Sequence, residues 1–522
     1  MSRRRGITLA IVCLVFGWLG STAVYAATPA DVLVIGKSSD PQTLDPHVTM
    51  DNNDWTVTYP AYQRLVRYET VAGKGTTNVV GELARSWTVS ADKLTWTFKL
   101  NDGNAFADGT PVDAAAVKFS FDRMLKLGKG PSEPFQALTA VTVVDAHTVR
   151  FLLKEPFAPF LYTLANDGAA IVNPKVMDHQ TNGDMAQAWL AEHTAGSGAY
   201  QLVSWQKGQS LIMQANPRYH GAKTHFAKVI VKIVPDASAR RLQLERGDID
   251  IAESLPVDQL NALKKEGGQG VIVREYPSLK VTYLYLNNQR APLDNVLVRR
   301  AVIDAVDVKA IIDGILYGQG QPMSGPIPDG MWGYDAAIKP VARNLAHAKA
   351  LLKKAGVGPL NLSFNFSEAD ANWPTIALAV QANLADAGIR VKLEKFANAT
   401  YRDRLGKGDF DIAIGNWSPD FADPYMFMNY WFDSSNGGLS GNRSFYSNPE
   451  VDKLVRKAAV AATQAERLKL YQQAQRLAIR DAAYVYLFQK NSQIAMRRDV
   501  QNFVFNPMLE QIYNVAEMSK GQ

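Results

Sequence analysis

From Leu94 to Leu100 apolar and polar residues alternate, with Trp96 and Phe98 on one face, the period of a half-buried strand. Asn101-Asp102-Gly103 then supplies a turn. After Phe106, the run Asp108-Gly109-Thr110-Pro111 predicts a second turn and a helix start. Thr110 would be the N-cap, Pro111 the first helical residue and Asp113 a first-turn acid, with Val117, Phe121 and Met124 as the inner stripe. Further along, Leu360 to Phe366 alternates strictly, Ile376, Val380 and Leu384 mark a helix closed by Gly388, and Ile389, Val391 and Leu393 mark the next strand. This order defines an α/β fold.

An equivalent unit lies earlier, where the strand Val229 to Val234 precedes a helix around Ala237 to Arg246. Each unit runs into a near-identical hexapeptide, Gly247-Asp248-Ile249-Asp250-Ile251-Ala252 and Gly408-Asp409-Phe410-Asp411-Ile412-Ala413. Together they predict two lobes of similar build, each with a tight turn into a buried strand. Helices follow over Pro449 to Ala462 and Gln464 to Asp481, and then a buried strand, Tyr484 to Gln489, returns the chain to the first lobe. The Gly- and Pro-rich stretch Gly318 to Gly333 is the one long loop, with Trp332 a candidate for facing a cleft.

Arg3, Arg4 and Arg5 precede the apolar run Ile7 to Leu19 and the small residues Ser21 to Ala27, so residues 1–26 read as a signal peptide cleaved after Ala26. The single cysteine, Cys13, follows Val12 inside the apolar run, which is not a lipoprotein arrangement. Ser2-Arg3-Arg4 hints at twin-arginine export, but Gly6 stands where that signal prefers an aromatic residue. Cleavage leaves 522 − 26 = 496 residues, lowers the formal charge from +6 to 6 − 3 = +3, and removes the only thiol. Disulfide, thiol and iron–sulfur chemistry are thereby excluded, no second run is long enough to span a membrane, and a charge this small argues against nucleic acid. The expected location is the periplasm.

Catalytic signatures are sparse. The chain has no His-Glu-x-x-His, no Gly-x-Ser-x-Gly, no complete Gly-x-Gly-x-x-Gly and no phosphate loop. His220 and His225, five apart, do not match a zinc spacing. Asp409 and Asp411 resemble a glycosidase pair, but their place beside a turn favours backbone capping. The richest segment is Asn416 to Phe432, NWSPDFADPYMFMNYWF, directly after an apolar strand. Ligands of open α/β sheets bind beyond the carboxyl ends of strands, which makes this segment, from Asn416 on, a candidate site. The competing reading has Asp420 capping the turn before Asp423-Pro424, and Phe427, Tyr430 and Trp431 read as core.

Specific wording extends this picture. Leu83-Ala84-x-Ser86-Trp87, Thr95-Trp96-Thr97-Phe98-x-Leu100 and Phe106-x-Asp108-Gly109-Thr110-Pro111 resemble the peptide, nickel and oligopeptide class of ABC-importer solute-binding proteins, extracellular solute-binding protein family 5. Further matches are Ser39-Asp40-Pro41-Gln42-Thr43-Leu44-Asp45-Pro46, Gly196-Ser197-Gly198-Ala199-Tyr200, Val298-Arg299-Arg300-Ala301-Val302 and the run Ala348 to Gly356. The resemblance implies a two-lobed, hinge-closing type II binding fold with an extra domain inserted in the first lobe. Lobe I would comprise 27–55, 174–284 and 489–522, the insertion 56–173, and lobe II 285–488, with hinges near Tyr283 to Asn288 and Tyr486 to Asn491. It further implies a monomer without cofactor or metal that delivers a small-molecule or short-peptide ligand to a membrane ABC permease.

In peptide-binding members of this class, the residue matching Asp420 pairs with the ligand's ammonium and Trp417 walls the pocket. Asp51 and Asn52, in Thr49 to Trp55, match a cleft-lining position. The loop Ser367-Glu368-Ala369-Asp370-Ala371-Asn372-Trp373 offers acids where a dipeptide binder needs a cation, and Arg443 is the nearest later candidate. A longer peptide, an amine, a sugar or a nickel or other metal chelate therefore stays open as ligand. A secreted hydrolase of peptides or glycosides is the rival from another class.

Overall fold

The computed structural model describes residues 28–266, 270–367, 370, 372–439, 441–510 and 512–521. The expected signal peptide with Ala26 lies outside the described residues, as do Glu368, Ala369 and Ala371 of the acidic loop.

An eleven-stranded mixed sheet runs through the molecule. In one half Val32–Lys37 pairs in parallel with Lys228–Ile233 and Ile251–Ala252, and Ser210–Ala215 and Tyr200–Gln206 extend it antiparallel. In the other, Leu360–Ser367 lies parallel to both Ile389–Phe396 and Ile412–Trp417. Two long strands join the halves: Val271–Leu286 and Tyr484–Arg497 run antiparallel along nearly their whole length. The C-terminal part of the first also pairs with Ile412–Trp417, and the C-terminal end of the second with Ile251–Ala252.

Between the halves this ladder breaks, leaving off at Pro277 opposite Asn491 and resuming at Val281 opposite Gln489. Buried backbone groups left unpaired are costly, and side chains satisfy them here. Gln489 donates from Nε2 to the carbonyls of Ser278 (2.6 Å) and Asp329 (2.7 Å). Ser278 Oγ donates to the Lys490 carbonyl (2.8 Å) and accepts the Lys280 N–H (3.1 Å). The first strand therefore crosses at Pro277–Val281, earlier than the Tyr283–Asn288 expected from sequence. The reason is that Val281–Leu286 already pairs with Ile412–Trp417 and buries Tyr283, Leu284 and Tyr285 in the core of the second half.

Residues 65–171 enclose a separate apolar core, in which Phe98, Phe121, Phe151 and Phe160 pack between a four-stranded sheet and the helix Ala114–Leu127. That helix is capped by Asp113, whose Oδ1 accepts the Ala116 N–H at 2.9 Å. Thr110 is not the cap, contrary to the expectation, because both its N–H and its hydroxyl are donated to Asp108. Pro111 consequently stays outside the helix.

The two hexapeptides do the same local work. Gly247 and Gly408 end the helices Ala237–Arg246 and Asn398–Lys407 at φ of 83° and 69°, a left-handed region costly for residues with a Cβ. The second aspartate of each, Asp250 and Asp411, accepts the backbone N–H of an adjacent strand, Val34 and Ser363 respectively, at 2.7 Å. Their ionic partners differ. Asp250 meets the ammonium of Lys520 at 2.8 Å with both side chains 2% exposed, whereas Asp411 meets Arg290, 48% exposed, at 2.9 Å.

Asp250→Ala should therefore cost about 3–5 kcal/mol, since it leaves a buried ammonium unpaired. Asp411→Ala should cost about 1–2 kcal/mol, because Arg290 can turn to water. Urea denaturation of both variants beside wild type measures the difference, and equal losses would contradict the assignment.

Candidate functional site: the cavity between the halves

Leu360–Ser367, Ile389–Phe396 and Ile412–Trp417 all end at one edge of the sheet, and the chain beyond each end contributes to one cavity of about 760 Å³. Trp373 follows the first strand, Asn398, Tyr401 and Arg402 the second, and Asn416, Trp417 and Asp420 come from the third and its loop. This is the position where parallel strands present ligands. Lys280 and Tyr285 of the crossing strand, Arg443, and Met50 from the other half complete the wall. A smaller cavity of about 170 Å³ shares Met50, Lys280, Ser418 and Asp420 with it and reaches Asn52 and Asp167.

Asp420 makes no hydrogen bond or ion pair among the described residues. Asp420 is exposed, although the protein around the cavity removes part of the water from its carboxyl. That desolvation, reinforced by the negative charge of Glu133, pushes it up to about 6. The turn-capping role falls instead to Asp423, which accepts the Tyr425 N–H at 2.9 Å and holds Arg467 through both oxygens at 2.7 Å. Asp420 is thus a carboxylate that the fold does not use.

Arg443 is the complementary group. Its Nε donates to the Leu439 carbonyl and its Nη1 to the Tyr285 hydroxyl, both at 2.8 Å, and the Trp417 ring lies 5.3 Å from the guanidinium carbon. No acid pairs with it among the described residues. Held through Nε and Nη1, it lines the cavity and has no hydrogen bond from Nη2 among the described residues. Trp417 packs against Tyr430 and Trp431 at 5.7 and 6.4 Å between centroids. Phe427 and Trp431 are buried in the core.

Gly415 shows how tightly this wall is built. A Cβ there would stand 2.3 Å from the Tyr285 hydroxyl, the group that holds Arg443.

The structure brings Asn416, Trp417, Asp420 and Arg443 together in the larger cavity and places Asn52 in the smaller. Asp51 lines neither: it caps the helix Asn52–Ala61 by accepting the Asn53 N–H at 2.8 Å. Trp332 also lies away from the cavities, with Nε1 donated to the Ala422 carbonyl (3.1 Å) and Arg467 over its ring at 4.9 Å. Asp409 and Asp411 stand at the opposite end of their strand and are paired with Arg404 and Arg290. Sequence reading missed Lys280, Tyr285, Tyr401 and Arg402. Tyr401 and Arg402 follow a strand end, so the rule that located Trp417 could have found them.

An α/β protein in which two crossing strands join two lobes around a charged cavity is a two-lobed periplasmic binding protein of type II. The model of bacterial extracellular solute-binding proteins, family 5, matches residues 78–438, and the chain belongs to that family. It is 60% identical over 496 residues to the probable D,D-dipeptide-binding periplasmic protein DdpA of Escherichia coli K12, covering 95% of this chain and 96% of that one. Its fold matches the ABC transporter-associated periplasmic binding protein DppA of Helicobacter pylori in complex with the peptide STSA, at TM-score 0.75 and 29% identity over 94% of this chain and 98% of that one. It also matches HbpA2 of Haemophilus parasuis, at TM-score 0.85 and 26% identity over 94% and 100%. The family and these relatives are binding proteins rather than enzymes. Among the described residues no helix is long and apolar enough to cross a membrane.

Gly415→Ala should force Tyr285 aside and with it Arg443. Overpacking of this kind costs about 1–3 kcal/mol. Urea denaturation should show that loss together with an altered near-ultraviolet circular dichroism from the tyrosine cluster, and a variant identical to wild type in both would refute the tight fit.

Proposed function

We propose that this protein captures a D,D-dipeptide as its zwitterion between the two lobes and delivers it to a membrane ABC permease. One observation carries the reading: a carboxylate without a partner, Asp420, and a guanidinium without an acid, Arg443, line the same cavity. A dipeptide offers the ammonium and the carboxylate that these two groups lack. Arg443 would supply the cation that the loop 367–373 does not, Trp417 would cover a face of the ligand, and the Asn416 amide would bond its backbone. The peptide class is supported by the relatives, and the D,D configuration by the 60% identical one.

On this reading no reaction is catalysed and no cofactor is needed. The protein works in the periplasm as a monomer after removal of residues 1–26. Lobe I comprises 27–55, 174 to the ladder break at 277–281, and 489–522, with the insertion at 56–173 and lobe II from the break to 488, and the ladder break serves as the hinge. Ligand favours the closed state only by binding it better than the open one, and exclusion of water on closure strengthens both ion pairs.

Asp420→Ala should weaken D-alanyl-D-alanine binding by roughly thirty- to several-thousand-fold, the usual cost of about 2–5 kcal/mol for losing one partner of a desolvated charge pair. Calorimetric titration measures this, with thermal melts unchanged because the fold does not use Asp420. A change below about threefold would remove Asp420 from the site.

Acid should act through the same group. With its carboxyl raised to about 6, Asp420 is ionised at neutral pH and becomes protonated as pH falls through that value. Protonation destroys the ammonium partner, so affinity should be about tenfold lower at pH 5 than at pH 7.5. Asp420→Asn should lose this dependence, and an unchanged slope in that variant would assign it to another group.

A further inference from the structure

The helix Asn398–Lys407 lies with one face on the larger cavity. Asn398, Tyr401, Arg402 and Leu405 all line it, and spacings of three and four residues put them on one side of a helix. Of these only Arg402 carries a charge. It is exposed, and its guanidinium forms no ion pair or hydrogen bond among the described residues. The described acids of its own helix, of the strand before it and of the loop before Trp373 are committed elsewhere. Asp403 meets Lys407 at 2.8 Å, Glu394 meets Lys392 at 2.7 Å and Arg404 at 3.7 Å, and Asp370 accepts the Asn372 N–H at 2.9 Å.

Arg402 and Arg443 belong to the same end of this cavity. The carbonyl that accepts the Arg443 Nε is that of Leu439, and Leu439 packs on the helix: a Cβ on Gly406 would stand 3.3 Å from Cβ of Leu439. Gly406 lies one turn from Arg402 on the same face. The Tyr401 hydroxyl donates to the Ile414 carbonyl and its ring meets Trp373 at 5.9 Å, which ties this helix to the strand that ends in Trp417. Among the described residues the charged groups lining the cavity are Asp420, Arg443, Lys280 and Arg402. A zwitterion answers Asp420 and Arg443. Lys280 also lines the smaller cavity, in company with the acids Asp167 and Glu510. Arg402 is the cation left over.

We infer that Arg402 reads a second carboxylate of the ligand, carried by the side chain of its C-terminal residue, so that the site prefers a dipeptide ending in an acidic amino acid. The inference deepens the dipeptide reading and rests on it. A guanidinium offers a planar fork of N–H donors that fits a carboxylate. Arg443 takes the α-carboxylate and Arg402 the one on the side chain. Two like charges at one end of a cavity disfavour each other, and a dicarboxylate entering there relieves both. A volume of about 760 Å³ lies within the range of small-molecule sites and has room for the longer side chain.

The test is calorimetric titration of the mature chain, wild type and Arg402→Gln, with D-alanyl-D-glutamate, its neutral isostere D-alanyl-D-glutamine, and D-alanyl-D-alanine. Wild type should bind the glutamate peptide about three- to tenfold more tightly than the glutamine peptide, as for an ion pair that closure partly shields from water. In Arg402→Gln that ratio should fall below about twofold. The ratio is read on one protein at a time, and thermal melts check that the variant folds as wild type. Equal affinity of wild type for the two isosteres, tighter binding of the glutamine peptide, or a preference that survives Arg402→Gln would overturn the inference and leave the dipeptide reading intact. Binding of none of the three peptides by wild type would overturn both.

Discussion

The architecture depends on one pair of strands. Val271–Leu286 and Tyr484–Arg497 belong to both halves of the sheet, and their ladder is the backbone connection between the halves among the described strands. An unbroken antiparallel ladder resists bending. Here the backbone pairing is interrupted between Pro277 and Val281, and side chains of Gln489 and Ser278 take over the hydrogen bonds. Side-chain bonds tolerate rotation better than a ladder in fixed register, because each has torsions of its own to adjust. The break lies beside Lys280, which lines both cavities, so bending there changes the cavity directly.

The charges in the cavity gain meaning from this mechanical arrangement. Elsewhere the fold pairs its buried ions: Arg123 with Asp45, Arg467 with Asp423, Lys520 with Asp250. Burying a charge without a counterion is expensive, and where the chain does so, as at Arg240 and Arg299, backbone carbonyls hold the guanidinium. Asp420, exposed, and Arg443, half-buried, line the same cavity without a counterion among the described residues, one from the loop after a parallel strand and the other from the segment that follows it. A site that stays incomplete until a zwitterion enters is the simplest physical account of the two together.

Much of this was legible in the sequence, and the illegible part has a common cause. The parallel strands of the second half, their glycine-closed helices and the paired hexapeptides all follow from local periodicity and turn chemistry, which neighbouring residues largely decide. The segment that holds Asp420 and Trp417 was legible because the end of a strand is readable from the strand itself, and the two residues within it because the loop's wording resembles that of peptide-binding members of the family. Thr110 was misjudged as a cap because Asp108, two residues earlier, competes for its donors. Trp332 looked like a cleft residue because it sits in a long loop, but the fold turns its indole onto Ala422 and under Arg467. Lys280 carries no local signal at all. It is brought to the cavity at a register break, which is a tertiary fact.

The central claim is that the lobes close on a zwitterion about the broken ladder, and small-angle X-ray scattering of the mature protein tests it most directly. With saturating D-alanyl-D-alanine, verified as bound by calorimetry, the radius of gyration should fall relative to the ligand-free protein. A radius unchanged by the bound dipeptide would contradict the account.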